Sequence, residues 1–275
     1  HTRGLSDWSS DVCSSDLSSK ALRIRKAFEE GQDLWEPHMR AKEELIGEIR
    51  RRTGAEFNPK RLLIGFSRRA VPYKRPTLIF QKPEAIEPLL EEQTIQLVFA
   101  GKAHPEDHAG KQLVQHLWRM SRRFPRAVAF LPDYDMELGA LLTRGCDVWL
   151  NTPQRPLEAS GTSGMKAALN GVLNVSVLDG WWPEVVRHGV NGWQIGQGYE
   201  GPGQDQQDLL ELIQVLVDEV IPTYYDDPTR WREMMRASIA SVQGRFTSDR
   251  MLIEYLNLMY QPAAAIVERS PLFRT

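Results

Sequence analysis

Five apolar runs of strand length, each followed by text long enough for a helix, constrain this chain more than any other feature. They occupy 62–66, 95–100, 127–131, 147–151 and 173–178. Runs this short and this apolar read as strands buried on both faces, and strands that alternate with helices demand parallel crossovers. The expected fold class is therefore α/β, a Rossmann-like doubly wound parallel sheet with flanking helices. Ligands in such sheets bind beyond the carboxyl ends of the strands. The chemistry-bearing residues fall at those ends: 67–74 after the first run, 101–104 after the second, 133–135 after the third, 152–166 after the fourth and 179–184 after the fifth. No Gly-x-Gly-x-x-Gly follows any run, which counts against a nicotinamide or flavin site.

Helical text flanks this core. Between Lys20 and Arg52 a stripe of Leu34, Trp35, His38, Leu45, Ile46 and Ile49 predicts one or two helices, broken near Gly31 and Pro37, with Trp35 and His38 as packing residues. Beyond Gly196 further helices are expected at 209–220, 229–242 and 249–259. The first nineteen residues differ: they hold seven serines and no periodicity, and they resemble a translated adaptor or cloning scar more than a secretory signal. The natural text is expected to begin near Ser18 or Lys20, as the remainder of a longer protein.

The 34 Lys+Arg against 36 Asp+Glu give a net charge of −2, so nothing general draws the chain to nucleic acid or anionic lipid. No apolar run approaches the roughly 20 residues that span a bilayer. Cys13 and Cys146 are the only cysteines, which argues against a disulfide framework and suits a reducing cytoplasm. Asn174-Val-Ser176 matches a glycosylation sequon by chance within a strand that reads as buried.

The segment Glu158-Ala-Ser-Gly-Thr-Ser-Gly-Met-Lys166 carries the densest chemistry, placing an acid, three hydroxyls, two glycines and a lysine in nine residues. Gly161 and Gly164 let backbone N–H groups turn toward a ligand, and the apolar text after them starts a helix, so an anion meets a helix N-terminus. Lys166 then stands beside the captured anion. A phosphate-anchored cofactor held as a Schiff base follows, with pyridoxal 5'-phosphate the leading candidate. No metal site is expected.

A second constellation, Arg68-Arg69-Ala-Val-Pro-Tyr73-Lys74-Arg75, sets four cations in eight residues at a strand end, where they suit an anion. Tyr134, in Leu131-Pro-Asp-Tyr-Asp135, is read either as a half-buried strand-end aromatic or as a ligand-facing ring. His104 lacks an adjacent acid and is read as structural, with Lys102 the better candidate for a cation near sugar or phosphate.

The 158–171 segment closely resembles the cofactor-lysine motif of α-glucan (glycogen, starch, maltodextrin) phosphorylases. The stretch from about Leu34 to about Gly196 resembles the carboxy-terminal half of such an enzyme, of the shorter prokaryotic type with GT-B architecture. The resemblance implies reversible phosphorolysis of terminal α-1,4-linked glucose to glucose 1-phosphate, with Lys166 carrying pyridoxal phosphate. Arg68, Tyr134, Thr162 and Ser163 are implied as cofactor contacts, and Arg69 and Lys74 as ligands of the substrate phosphate. Glu158, Ser160 and Gly161 are implied as the clamp on the glucose. Three positions depart from the pattern of some members: Arg68 stands for a lysine, Asp135 for a basic residue and Gly164 for an asparagine.

The expected division is 1–19 as non-native or disordered text and 20–55 as a helical linker region. A cofactor- and phosphate-binding domain over 56–245 and a C-terminal helix and tail over 246–275 complete it. The expected partners are the glucan, inorganic phosphate or glucose 1-phosphate, and a missing amino-terminal domain that supplies a glycine loop and a histidine. Without that half the chain is expected to be nearly inactive. A nucleotide-sugar glucosyltransferase resembling glycogen synthase, which needs no Schiff-base lysine, and a non-catalytic glucan-binding remnant are the alternatives.

Overall fold

The computed structural model describes residues 21–269, so the expectation for residues 1–19 lies outside the described residues. The five apolar runs become β1 (Leu62–Ser67), β2 (Ile95–Ala100), β3 (Val128–Leu131), β4 (Val148–Asn151) and β5 (Leu173–Val177). A sixth strand, β6 (Gly192–Ile195), completes a sheet of order β3-β2-β1-β4-β5-β6 in which every pairing is parallel. This is the doubly wound order, and it reverses direction between β1 and β4. The extra strand lacks the apolar run of the others: Gly-Trp-Gln-Ile is four residues at the sheet's edge, held by its pairing with β5.

Helices cover both faces. Leu62, Ile64 and Phe66 of β1 point into one core, and Leu63 points into the other, as strand alternation requires. The first core is closed by α1 (Ala21–Glu29), α3 (Pro83–Glu91), α4 (His108–Arg123), α7 (Gln204–Val215), α8 (Ile221–Asp226) and α9 (Pro228–Val242). The second is closed by α2 (Trp35–Thr53), α5 (Met136–Gly145) and α6 (Thr162–Leu169). α10 (Ser248–Tyr255) and α11 (Gln261–Arg269) follow, joined by a π turn. No helix among the described residues is long and apolar enough to cross a membrane.

The amino-terminal helical text breaks at residues 30–34, near Gly31, and not at Pro37. Pro37 lies in the first turn of α2, where its missing N–H has no intrahelical partner to lose. Cys146 lies beneath β1, where a Cβ on Gly65 would collide with its sulfur, and the thiol is fully buried.

A buried charge cluster ties the crossovers together at the amino ends of β1 and β4. Lys42 and Asp147 both have 0% exposed side chains and are paired at 2.5 Å. The Lys42 Nζ also donates to the Arg61 carbonyl at 2.6 Å and to the Tyr224 hydroxyl at 3.0 Å. Asp147 accepts from Leu63 N–H at 2.7 Å, and His38 Nε2 lies 2.8 Å from its other oxygen. α2, β1 and the start of β4 meet on one carboxylate, and α8 joins the cluster through the Tyr224 hydroxyl on Lys42. His38 therefore packs, as its stripe position implies, but through a polar contact.

Candidate functional site

A cleft of about 490 Å³ opens at the carboxyl ends of the strands, between the turn after β1 and the loop after β4. Its walls carry Arg68, Arg69 and Lys74 from the β1 turn, Lys102 and His104 from the β2 turn, Tyr134 after β3, and Glu158, Gly161, Thr162 and Ser163 from the β4 loop and α6. Sequence separations of up to 95 residues collapse here because all these groups follow parallel strands.

Glu158 is the hub. Its Oε2 accepts from the Arg68 guanidinium and from Lys74 Nζ at 2.8 Å, and all three side chains are largely buried. The other arm of Arg68 donates to Asn151 Oδ1 at 2.5 Å and Ser163 Oγ at 3.2 Å, so one side chain joins β1, β4, the Glu158 loop and the start of α6. Burial pulls the Arg68 pKa down and Glu158 opposes it; a guanidinium starts so high that the cation persists. Arg69 and Lys102 are exposed on the rim. His104 is exposed beside them, and its Nδ1 accepts from the Glu106 N–H at 3.2 Å. At the floor, Ser67 Oγ is buried with no protein partner.

The Glu158 loop is held from behind by Asp179, at the end of β5. One Asp179 oxygen accepts the Glu158 N–H and the other accepts its neighbour Gly180 N–H, each at 2.9 Å. Burial pushes the Asp179 carboxyl up, against the pull of these two N–H groups. Gly180 adopts φ +60°, where a side chain would strike the Ser160 carbonyl. That carbonyl accepts the Trp181 N–H at 2.9 Å, so Ser160 is fixed through its backbone.

α6 begins as the glycine pattern predicts. Gly161, at φ +85°, is the residue before the first turn, and Thr162 and Ser163 open the helix. The Trp149 indole donates to Ser163 Oγ at 3.3 Å, and Asn174 Nδ2 donates to the Gly164 carbonyl at 3.1 Å. A side chain at 164 would meet Asn174 Oδ1 at 2.8 Å and Trp181 Nε1 at 2.9 Å, so Trp181 occupies the space that an asparagine there requires. Asn174 is fully buried in β5, which removes its sequon from consideration. Lys166 is half-buried one turn further along α6 and is not among the cleft-lining residues, whereas Tyr134 is half-buried and lines the cleft.

Two residues of the motifs serve elsewhere. Arg75 adopts φ 45° and turns away from the cleft, donating to the Thr152 and Pro153 carbonyls at 2.9 and 2.7 Å and pairing with Asp205 and Asp208. The basic run thus divides, three cations to the cleft and one to a buried latch. Asp135 caps α5 by accepting the Leu138 N–H at 2.7 Å.

The profile of the carbohydrate phosphorylases matches residues 18–190. A maltodextrin phosphorylase from Thermococcus litoralis is 43% identical, with 85% of this chain and 30% of that protein covered. A glycogen phosphorylase from Aquifex aeolicus is 41% identical, with 83% of this chain and 37% of that protein covered. Another from Mycobacterium bovis is 44% identical, covering 78% of this chain and 26% of its own length. The chain therefore spans about a third of the length of these relatives.

Proposed function

This chain belongs to the carbohydrate phosphorylase family, and from that premise we propose that it is the carboxy-terminal, cofactor-binding part of an α-glucan phosphorylase. The reaction is reversible phosphorolysis of a terminal α-1,4-linked glucose to glucose 1-phosphate. The observation that supports it best is the buried meeting of Arg68 and Lys74 on Glu158 in the switch-point cleft, an anion-directed donor set with one carboxylate among it.

The donors that line the cleft fit the phosphate group of pyridoxal 5'-phosphate. Arg68, the unpartnered Ser67 hydroxyl and the N–H groups of Thr162 and Ser163 at the start of α6 are donors suited to a phosphate. Tyr134 offers an aromatic face and Lys166 the amine that would hold the cofactor covalently. When bound, the cofactor supplies a phosphate able to relay a proton to the substrate phosphate. Arg69 and Lys74 take the substrate phosphate, and Glu158, with Ser160 and the Gly161 backbone, takes sugar hydroxyls. The cations also offset the mutual repulsion of two phosphates held side by side. A cytoplasmic setting belongs to the same proposal, supported by a free, buried Cys146.

The test is chemical. The protein mixed with pyridoxal phosphate should develop a near-ultraviolet band, and borohydride followed by peptide mapping should place the pyridoxyl group on Lys166. Lys166→Ala should abolish the labelled peptide. Labelling at other lysines with none at Lys166 overturns the assignment.

A further inference from the structure

The sheet's outer strand carries a second groove, remote from the switch point. α4 packs on one face of β3 and α2 on the other, so the space between the two helices opens along the free edge of β3. The groove has a volume of about 540 Å³, within the range of about 300–1,000 Å³ typical of small-molecule sites. Its floor is Val128, Ala129 and Phe130. β3 has no partner strand on this side among the described residues; of its peptide groups directed away from β2, the Val128 N–H is already donated to the Phe124 carbonyl at 2.8 Å, and the others face the groove.

Trp118 stands on the groove's α4 wall. α4 buries Leu117 and Met120 in the core, yet Trp118 is 54% exposed. Ser121 and Arg122 continue the same wall at helical spacing, and Pro125 extends it just past the end of α4. Arg122 is exposed and makes no ion pair among the described residues, leaving its planar set of donors free. The opposite wall is tied together by Arg52, which is bound to Glu48 and donates to the Pro132 carbonyl at 2.9 Å and the Asp133 carbonyl at 3.3 Å.

We propose that this groove is a carbohydrate-binding site for an α-1,4-glucan segment, distinct from the cleft at Glu158. An indole face carries negative potential and attracts the weakly positive C–H face of a pyranose, while Arg122 and the unpaired peptide groups of β3 bond to hydroxyls around its rim. A peptide adding as a further strand is disfavoured, because β3 is only four residues long and Pro125 and Pro132 flank it, each lacking the N–H that a ladder needs. The identity of the sugar rests on the α-glucan reading given above; the groove itself does not.

Binding of maltoheptaose to the 275-residue chain, by calorimetry and by retardation in starch-containing native gels, tests the site. Trp118→Ala should weaken binding by at least about tenfold, Trp118→Phe should hold it within about threefold, and Glu158→Gln should leave the Trp118-dependent component in place. The proposal is overturned if Trp118→Ala binds maltoheptaose and is retarded as the parent is. It is also overturned if no binding occurs up to about 10 mM sugar, or if Trp118→Ala changes only the oligomeric state measured by light scattering. Failure here leaves the labelling of Lys166 untouched, so the two readings fail separately.

Discussion

Asp147→Asn is expected to destabilise the fold by about 3–5 kcal/mol, the cost of leaving one partner of a buried ion pair unmatched. The side chain that suffers is Lys42, whose ammonium has 0% exposure and loses its counter-charge, keeping only neutral oxygen acceptors such as the Arg61 carbonyl and the Tyr224 hydroxyl. A change of that size is a large fraction of the roughly 5–15 kcal/mol by which domains are stable. Denaturant unfolding at neutral pH measures it directly; a loss below about 1 kcal/mol would show the cluster to be dispensable.

The pH dependence has a defined sign. Burial pushes the Asp147 carboxyl up, but Lys42 and His38 together outweigh burial, and its pKa lies below the ordinary 3.8. A carboxylate with a depressed folded-state pKa contributes its stability above the unfolded value and loses it as pH falls through the folded one. The parent protein should therefore lose stability below about pH 4 more steeply than Asp147→Asn does.

Glu158→Gln is expected to tighten binding of inorganic phosphate to the cleft by about 10–100-fold. Arg68 and Lys74 both bond to the same Glu158 oxygen, so an entering anion competes with a carboxylate already in place and is repelled by it. At an effective dielectric near 20, a like charge about 5–8 Å away costs roughly 2–3 kcal/mol, a factor of that order in affinity. Glutamine keeps the shape and removes the charge. Calorimetric titration with phosphate checks it, and weaker binding by the variant would mean that Glu158 chiefly holds the two cations in position. The same substitution should weaken sugar binding in the cleft.

The parallel sheet was legible because strands buried on both faces must be continuous apolar runs, and β1 to β5 are. β6 was not, since an edge strand of Gly-Trp-Gln-Ile owes its shape to the neighbour it pairs with. The grouping of Arg68, Arg69, Lys74, Tyr134, Glu158 and Ser163 around one cleft follows from topology alone: each comes after a parallel strand. The division of labour within that group did not show in the sequence. Arg75 looks like its neighbours until a left-handed backbone turns it toward Asp208, and Asp179 stands out at a strand end without any sign in the sequence that it accepts the Glu158 N–H. One signal for the buried cluster did exist. Lys42 falls on the stripe of His38, Leu45 and Ile49 at helical spacing, and a charge inside an apolar stripe implies a buried partner.

The sealed position of Cys146 makes the sheet report on its own opening. The thiolate is the reactive form of cysteine, and here burial, reinforced by Asp147, raises the thiol pKa well above its usual value while Gly65 lies directly over the sulfur. No alkylating reagent reaches it until β1 lifts from the α5–β4 junction. In a Cys13→Ser variant the modification rate of the remaining thiol would then track the equilibrium population of opened sheet when closing outpaces reaction. Labelling should be negligible under native conditions, accelerate with denaturant in step with global unfolding, and accelerate further when Asp147→Asn is added. Fast labelling of the folded protein would instead reveal a local breach near the centre of the sheet.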